Sequence, residues 1–287
     1  MVPTVILRLR DRVLDLRDTA KVMGIVNVSR DSFYEHVDSV DAAVAAARAM
    51  VADGATLIDL GGQSYAAGNG SISADEERRR VVPAVRALVD AQLDVVLSID
   101  TYTAAVAGAA LAAGAQVIND CSGLSDPALA AAVAEHDAGL VIMHLKGRLK
   151  VRDPEAYVYR DVMAEIIAFL FEQTERAIAA GVRRDAIVVD PGLEFGKEPA
   201  TDLEILRRFG ELRALGFPIL LAASRKSFLG RVVGRPAKEL LPASLAAAAI
   251  GIMAGARLVR AHDVAETVQL AQMMAAVMGN SPAVQAV

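Results

Sequence analysis

The 287 residues contain no tryptophan and a single cysteine, and aromatic residues make up only 4%. One thiol, Cys121, excludes an intrachain disulfide. No base adjoins it in the sequence, so it reads as a small packed thiol and not as a nucleophile. No His/Cys/Asp spacing resembles a structural zinc site. His36 and His136 read as surface or loop histidines. No Lys/Arg run stands out, and the formal net charge is −5, which excludes nucleic acid or an anionic membrane surface as an expected partner. The longest apolar tract, Leu245 to Ala254, is too short to span a bilayer and reads as a buried helix. The first residues are broken by charges every few positions and hold no apolar signal core. The expectation is a soluble cytoplasmic protein.

What is present is hydrophobic mass, 54% of the chain, arranged as an alternation. Short β-branched apolar runs alternate with longer Ala-rich stretches of helical period. Continuous apolar runs mark strands buried on both faces, as in parallel sheets. The runs are 22–26, 56–60, 95–99, 116–118, 140–143, 186–189, 219–222 and 258–259. Helical patterns cover 40–52, 75–88, 104–112, 127–134, 162–180, 202–215, 240–254 and 264–277, several ending at a glycine (Gly54, Gly114, Gly181, Gly255). Strand–helix units with no long linker predict one (β/α)8 barrel domain over 1–287, with residues 5–16 as a short hairpin ahead of it. Glu76-Glu77-Arg78-Arg79-Arg80 reads as a solvated helix face with internal ion pairs.

Each run ends in polar chemistry: Asn27; Asp59 with Gly61-Gly62; Asp100; Asn119-Asp120; His144; Asp190; Ser224-Arg225-Lys226; and Arg260 with His262. In a barrel these ends converge on one rim, where the active sites of the fold lie. The alternative is a set of loop-holding caps and ion pairs. Asp100, Asn119 and Asp190 suit a flat heterocycle rich in N–H donors. Lys226, Arg260, His262 and Asn27 suit an anion such as a diphosphate.

The segments MGIVNVSRDSF (23–33), DLGGQS (59–64), SIDTY (98–102), INDCSG (118–123), MHLKG (143–147), DPGLEFGK (190–197), SRKSFLG (224–230) and RAHDV (260–264) together resemble the ordered signature blocks of dihydropteroate synthase, within the pterin-binding family. The resemblance implies condensation of 6-hydroxymethyl-7,8-dihydropterin pyrophosphate with p-aminobenzoate, giving dihydropteroate and pyrophosphate. It also implies site roles. Asp100, Asn119, Asp190 and Lys226 hydrogen-bond the pterin, while Arg260 stacks on its ring and touches phosphate. Met143 and Phe195 form apolar walls. Asn27 helps bind Mg2+ with the diphosphate, His262 contacts phosphate, and Ser224 lies near the p-aminobenzoate pocket. Asp100, Lys226 and Arg260 are the expected catalytic residues, the loops 29–37 and 63–71 close over the site, and a homodimer is expected.

The pattern is broken in the loops. The second loop reads Gly61-Gly62-Gln63-Ser64-Tyr65-Ala66-Ala67-Gly68, with Tyr65 and Ala66 in place of a Thr and an Arg that contact pyrophosphate. Loss of that cation costs ~1.5–3 kcal/mol of binding if nothing replaces it. Arg30, Lys146 and Arg148 are candidate replacements. Ser29-Arg30 stands where Thr-Pro is usual, Tyr34-Glu35-His36-Val37 follows Phe33 in a further departure, and Glu194 and Ala222 replace glycines, Glu194 adding a charge near the site. These departures motivate a second expectation, a paralogue that binds pterin but has lost or altered the condensation, or that uses another arylamine. A methyltetrahydrofolate-handling barrel and an unrelated phosphate-binding barrel are further alternatives, against which the combined blocks argue.

Overall fold

A computed structural model describes residues 5–28, 39–63, 65 and 70–280. The chain opens with an antiparallel hairpin, β1 (Ile6–Arg8) and β2 (Val13–Asp15). The strands β3 (Lys21–Asn27), β4 (Leu57–Gly61), β5 (Val96–Asp100), β6 (Val117–Asp120), β7 (Gly139–Met143), β8 (Ile187–Asp190), β9 (Ile219–Leu221) and β10 (Ala256–Ala261) then pair in sequence order. They are parallel throughout, and β10 closes on β3 through pairs such as Arg260 with Met23. The helices are α1 (Val40–Ala52), α2 (Ala74–Asp90), α3 (Ala104–Ala112), α4 (Leu129–Glu135), α5 (Val162–Ala179), α6 (Pro199–Arg208), α7 (Ser227–Val233), α8 (Leu241–Ala254) and α9 (Val264–Val277). The barrel and its leading hairpin match the expectation.

Two elements differ from it. The helix expected over 202–215 stops at Arg208 and tightens into a 3-10 helix from Phe209 to Leu215, because Gly210 is a poor helix former. Helix α7 has no counterpart in the sequence reading: it is short, carries Gly230 inside, and lies within a segment read as site chemistry.

Strand alternation explains the core and the site together. Side chains two apart on a strand share a face. The outward set (Ile58, Leu60, Leu97, Ile99, Ile118, Ile142, Ile187, Val189, Leu221 among them) packs against the helices. The inward set begins with a layer of Met23, Leu57, Val96, Val117, Val141, Val188, Leu220 and Leu258, onto which the hairpin sets Leu7, Leu9 and Leu16 as a plug. One step of two further along, the inward positions become Asp59, Ser98, Asn119, Met143, Asp190 and Arg260, and a second step on β3 and β5 reaches Asn27 and Asp100. The same period that fills the barrel floor with aliphatics places polar groups at its open end.

Candidate active site

At that end Asp59 is the hub. It is fully buried, and its carboxylate accepts from Ser98 Oγ at 2.6 Å, Asn119 Nδ2 at 2.9 Å and Arg260 Nε at 2.7 Å. Arg260 donates its other branch to Asp100 Oδ2 at 2.9 Å. One guanidinium thus faces two carboxylates, only one of which it can balance fully. Asp100 shows the consequence: burial pushes its carboxyl up to about 8, against the pull of Arg260 and with the repulsion of Asp59 added. Arg260, whose charged form burial alone disfavours, is held above its ordinary range by Asp59 and Asp100. Among the described residues Asp100 Oδ1 is buried without a hydrogen-bond partner, an acceptor open to a ligand.

A second group comes from β8 and β9. Burial raises the Asp190 carboxyl, opposed by Lys226, by the Gly192 N–H donated at 2.6 Å, and by Lys197 and Arg260. Lys226 donates to the Leu193 carbonyl and lies 4.9 Å from the Phe195 ring centroid. Met143 forms an apolar cluster with Tyr65 and Cys121, against which Phe195, Tyr102 and Leu149 pack. Cys121 is buried, and burial drives its thiol well above the ordinary range, in keeping with a packed thiol.

A third group lies where β10 meets β9. Ser224 Oγ is 3.0 Å from His262 Nδ1 and accepts the His262 N–H at 3.1 Å. Burial, with Arg260 nearby, lowers His262 to about 4, so its imidazole is neutral near pH 7. Asn27 Oδ1 sits against Gly61, where an added Cβ would lie 3.3 Å away.

Other strand-end residues serve the scaffold. Asp120 turns into its own loop and accepts from Ser122 N, Ser122 Oγ and Leu124 N. Arg225 forms a two-pronged pair with Asp263, at 2.8 and 2.6 Å. His144 faces away from the ring of acidic groups: its Nδ1 lies 2.9 Å from Lys197 Nζ, and its ring meets Phe169 edge-on. Lys146, a candidate for the missing loop cation, is committed to Glu165 at 2.8 Å and to the Val158 carbonyl, over the Tyr159 ring. Arg148 is exposed. Arg30, Ser64, Ala66 and the loop 29–37 lie outside the described residues.

Three features escaped the sequence reading. Asp59 holds the site together yet was noted only as a strand end; its signal was a carboxylate inside an apolar run, which burial permits only with partners. Glu77 does not belong to a solvated face: it is 1% exposed and accepts from Gln63 Nε2 at 2.6 Å, while its neighbours Arg78, Arg79 and Arg80 pair with Asp75 and Glu76 as expected. Lys150 then reaches across from the β7 loop to Gln63 Oε1 at 2.6 Å and the Gly70 carbonyl at 2.9 Å. Beneath it Tyr65 is buried, its hydroxyl donated to the Asp100 carbonyl at 3.1 Å.

An eight-stranded barrel with carboxylates, an amide and cations gathered at the strand ends defines a pterin-binding enzyme, and the chain belongs to that family: the pterin binding enzyme model matches residues 23–262. Within it the relatives are dihydropteroate synthases. The chain is 37% identical over 278 residues to dihydropteroate synthase of Bacillus subtilis, covering 96% of this chain and 94% of that one. It is 40% identical over 271 residues to inactive dihydropteroate synthase 2 of Mycobacterium leprae, covering 92% and 93%. The structure of Xanthomonas albilineans dihydropteroate synthase with 4-aminobenzoic acid superposes with a TM-score of 0.88 at 39% identity, over 96% and 98% of the two chains.

Proposed function

We propose that the chain is a transferase of the dihydropteroate synthase type, joining 6-hydroxymethyl-7,8-dihydropterin pyrophosphate to p-aminobenzoate or a related arylamine with release of pyrophosphate. The observation that carries this is Asp100 Oδ1, unpartnered among the described residues, beside Arg260, with Asn119 on the adjoining strand β6 and Asp190 at the end of β8 across the barrel mouth. Together they offer a fused heterocycle acceptors for its N–H groups and a cation for its face. Departure of the diphosphate leaves positive charge on the pterin methylene. Asp100, whose charged form burial disfavours in the free protein, stabilises that charge as it develops. Arg260 and His262 receive the anion, Lys226 donates to the pterin beside Phe195, and the arylamine attacks directly, so no protein nucleophile is needed.

Mg2+ fits this site as an ion carried by the substrate. Among the described residues no group of three or more His, Cys, Asp or Glu could hold a metal. Asn27 offers a single neutral oxygen, as expected where diphosphate oxygens supply most of the ligands. Asn27 would hold the ion together with the diphosphate oxygens, and the ion would supply charge neutralisation of the leaving group. A homodimer completes the proposal.

A second reading, a pterin-binding paralogue without condensation, is favoured by one observation: Tyr65, at an altered loop position, packs on Met143 and Cys121 and hydrogen-bonds above Asp100. The two separate when purified protein is given dihydropterin pyrophosphate, p-aminobenzoate or an uncharged arylamine, and Mg2+. Pyrophosphate release that disappears in Asp100→Ala supports the synthase; calorimetric pterin binding without release supports the paralogue.

A further inference from the structure

The mouth of the barrel has three sides. The groups assigned to the diphosphate and its ion, Asn27, Arg260 and His262, occupy the β3–β10 side. Tyr65, tethered beneath Lys150 and Gln63, covers the β4–β7 side. The acceptor amine is left the β8–β9 side, where Lys226 and Phe195 stand.

Glu194 stands there too. Its φ is +70°, a left-handed conformation in a residue with a Cβ. Its N–H is donated to Asp202 Oδ1 at 2.8 Å, and the preceding carbonyl, of Leu193, takes the Lys226 ammonium. Held at both ends, it sends its carboxylate toward the start of the next loop–helix segment, where Oε1 accepts from Ser227 Oγ at 2.7 Å and Phe228 N at 2.7 Å. The donors next to Lys226 on this rim are therefore occupied by the chain's own carboxylate, and a fixed negative charge stands beside them. An incoming p-aminobenzoate is itself a carboxylate and would need such donors, away from negative charge.

We propose that Glu194 is a specificity-determining residue that turns the acceptor site away from benzoate anions and toward uncharged arylamines. The proposal rests on the synthase reading for the identity of the acceptor class, but its test does not need turnover. Affinities of p-aminobenzoate and p-aminobenzamide are measured by calorimetry on protein saturated with 6-hydroxymethylpterin and inorganic pyrophosphate, alongside pyrophosphate release with each amine. The wild type is expected to favour the amide at least tenfold. Glu194→Gly suits the left-handed backbone and frees both donors, so it should move the ratio toward the benzoate by tenfold or more. Glu194→Gln keeps an acceptor for Ser227 without the charge, and should move it part of the way. A wild type that binds the benzoate as well as the amide, a ratio that moves in neither variant, or no binding of either amine overturns the proposal. An amide preference that follows Glu194 with no release from any amine sinks the synthase reading alone.

Discussion

At the scale of single residues, Asp59 and Asp100 divide the work between position and chemistry. Asp59 makes three buried hydrogen bonds and touches no solvent. Its replacement by Ala strands Arg260 and Asn119, and removing one partner of a buried pair costs about 3–5 kcal/mol. Urea unfolding should show that loss, and pterin binding should fall with it. Asp100→Asn keeps the shape but not the charge; it should leave the urea midpoint nearly unchanged or raised while cutting pyrophosphate release by at least a hundredfold. The sequence displayed Asp100, Asn119, Asp190 and Arg260 because polar groups end apolar runs there, but the same signal also marked Asp120 and Arg225, which serve the scaffold. It hid Asp59's role, Glu77's burial and Lys150's reach, since each depends on which way a side chain turns and on a partner distant in the chain. Lys150 bridges Gln63 and the Gly70 carbonyl at the two ends of the altered loop, and Lys150→Met should raise the KM for the pterin substrate severalfold by releasing Gln63.

At the scale of elements, the segment from Asp190 to Lys197 shows how backbone fit supports chemistry. Gly192 and Gly196 have φ near +67° and +69°, and an added Cβ would lie 2.0 Å from the His144 carbonyl oxygen and 2.1 Å from that of Lys146. That close approach lets Lys197, 5% exposed, reach the Phe195 carbonyl at 2.8 Å and His144. Burial lowers Lys197 to about 7, with Lys226 and Lys146 pushing the same way and Asp202 and Asp190 opposing; His144 also lies against it. The unfolded chain therefore binds more protons than the folded one between about pH 7 and 10.5. Stability from this group is present above the upper value and lost as pH falls through the lower one. The urea midpoint of wild type relative to Lys197→Met should rise from pH 7 to pH 9, and a flat difference would show that the lysine stays charged. The glycines were legible as turn residues, but the strand carbonyls they press against were not. Helix α7 was missed because it is too short for a periodic pattern to emerge.

At the scale of the molecule, the alternation of apolar runs and Ala-rich helices was sufficient to imply the closed barrel, because a parallel strand buried on both faces needs helices outside and side chains within. No helix among the described residues is long and apolar enough to cross a membrane. The outer surface nevertheless keeps large apolar side chains on adjacent helices: Ile250 and Met253 on α8 are 49% and 65% exposed, and Met273 and Val277 on α9 are 62% and 64% exposed. These helices pack side by side on the barrel's outer shell. Sequence periodicity could not separate this face from core, since α8 is apolar nearly all round. A homodimer that covers it removes that surface from water at about 25 cal/mol per Å2. Sedimentation velocity should therefore report a dimer for the wild type. A charge placed on each helix, Met253→Glu with Met273→Glu, should yield monomers with an unchanged far-ultraviolet spectrum, whereas a wild-type monomer would leave the exposed face without this explanation.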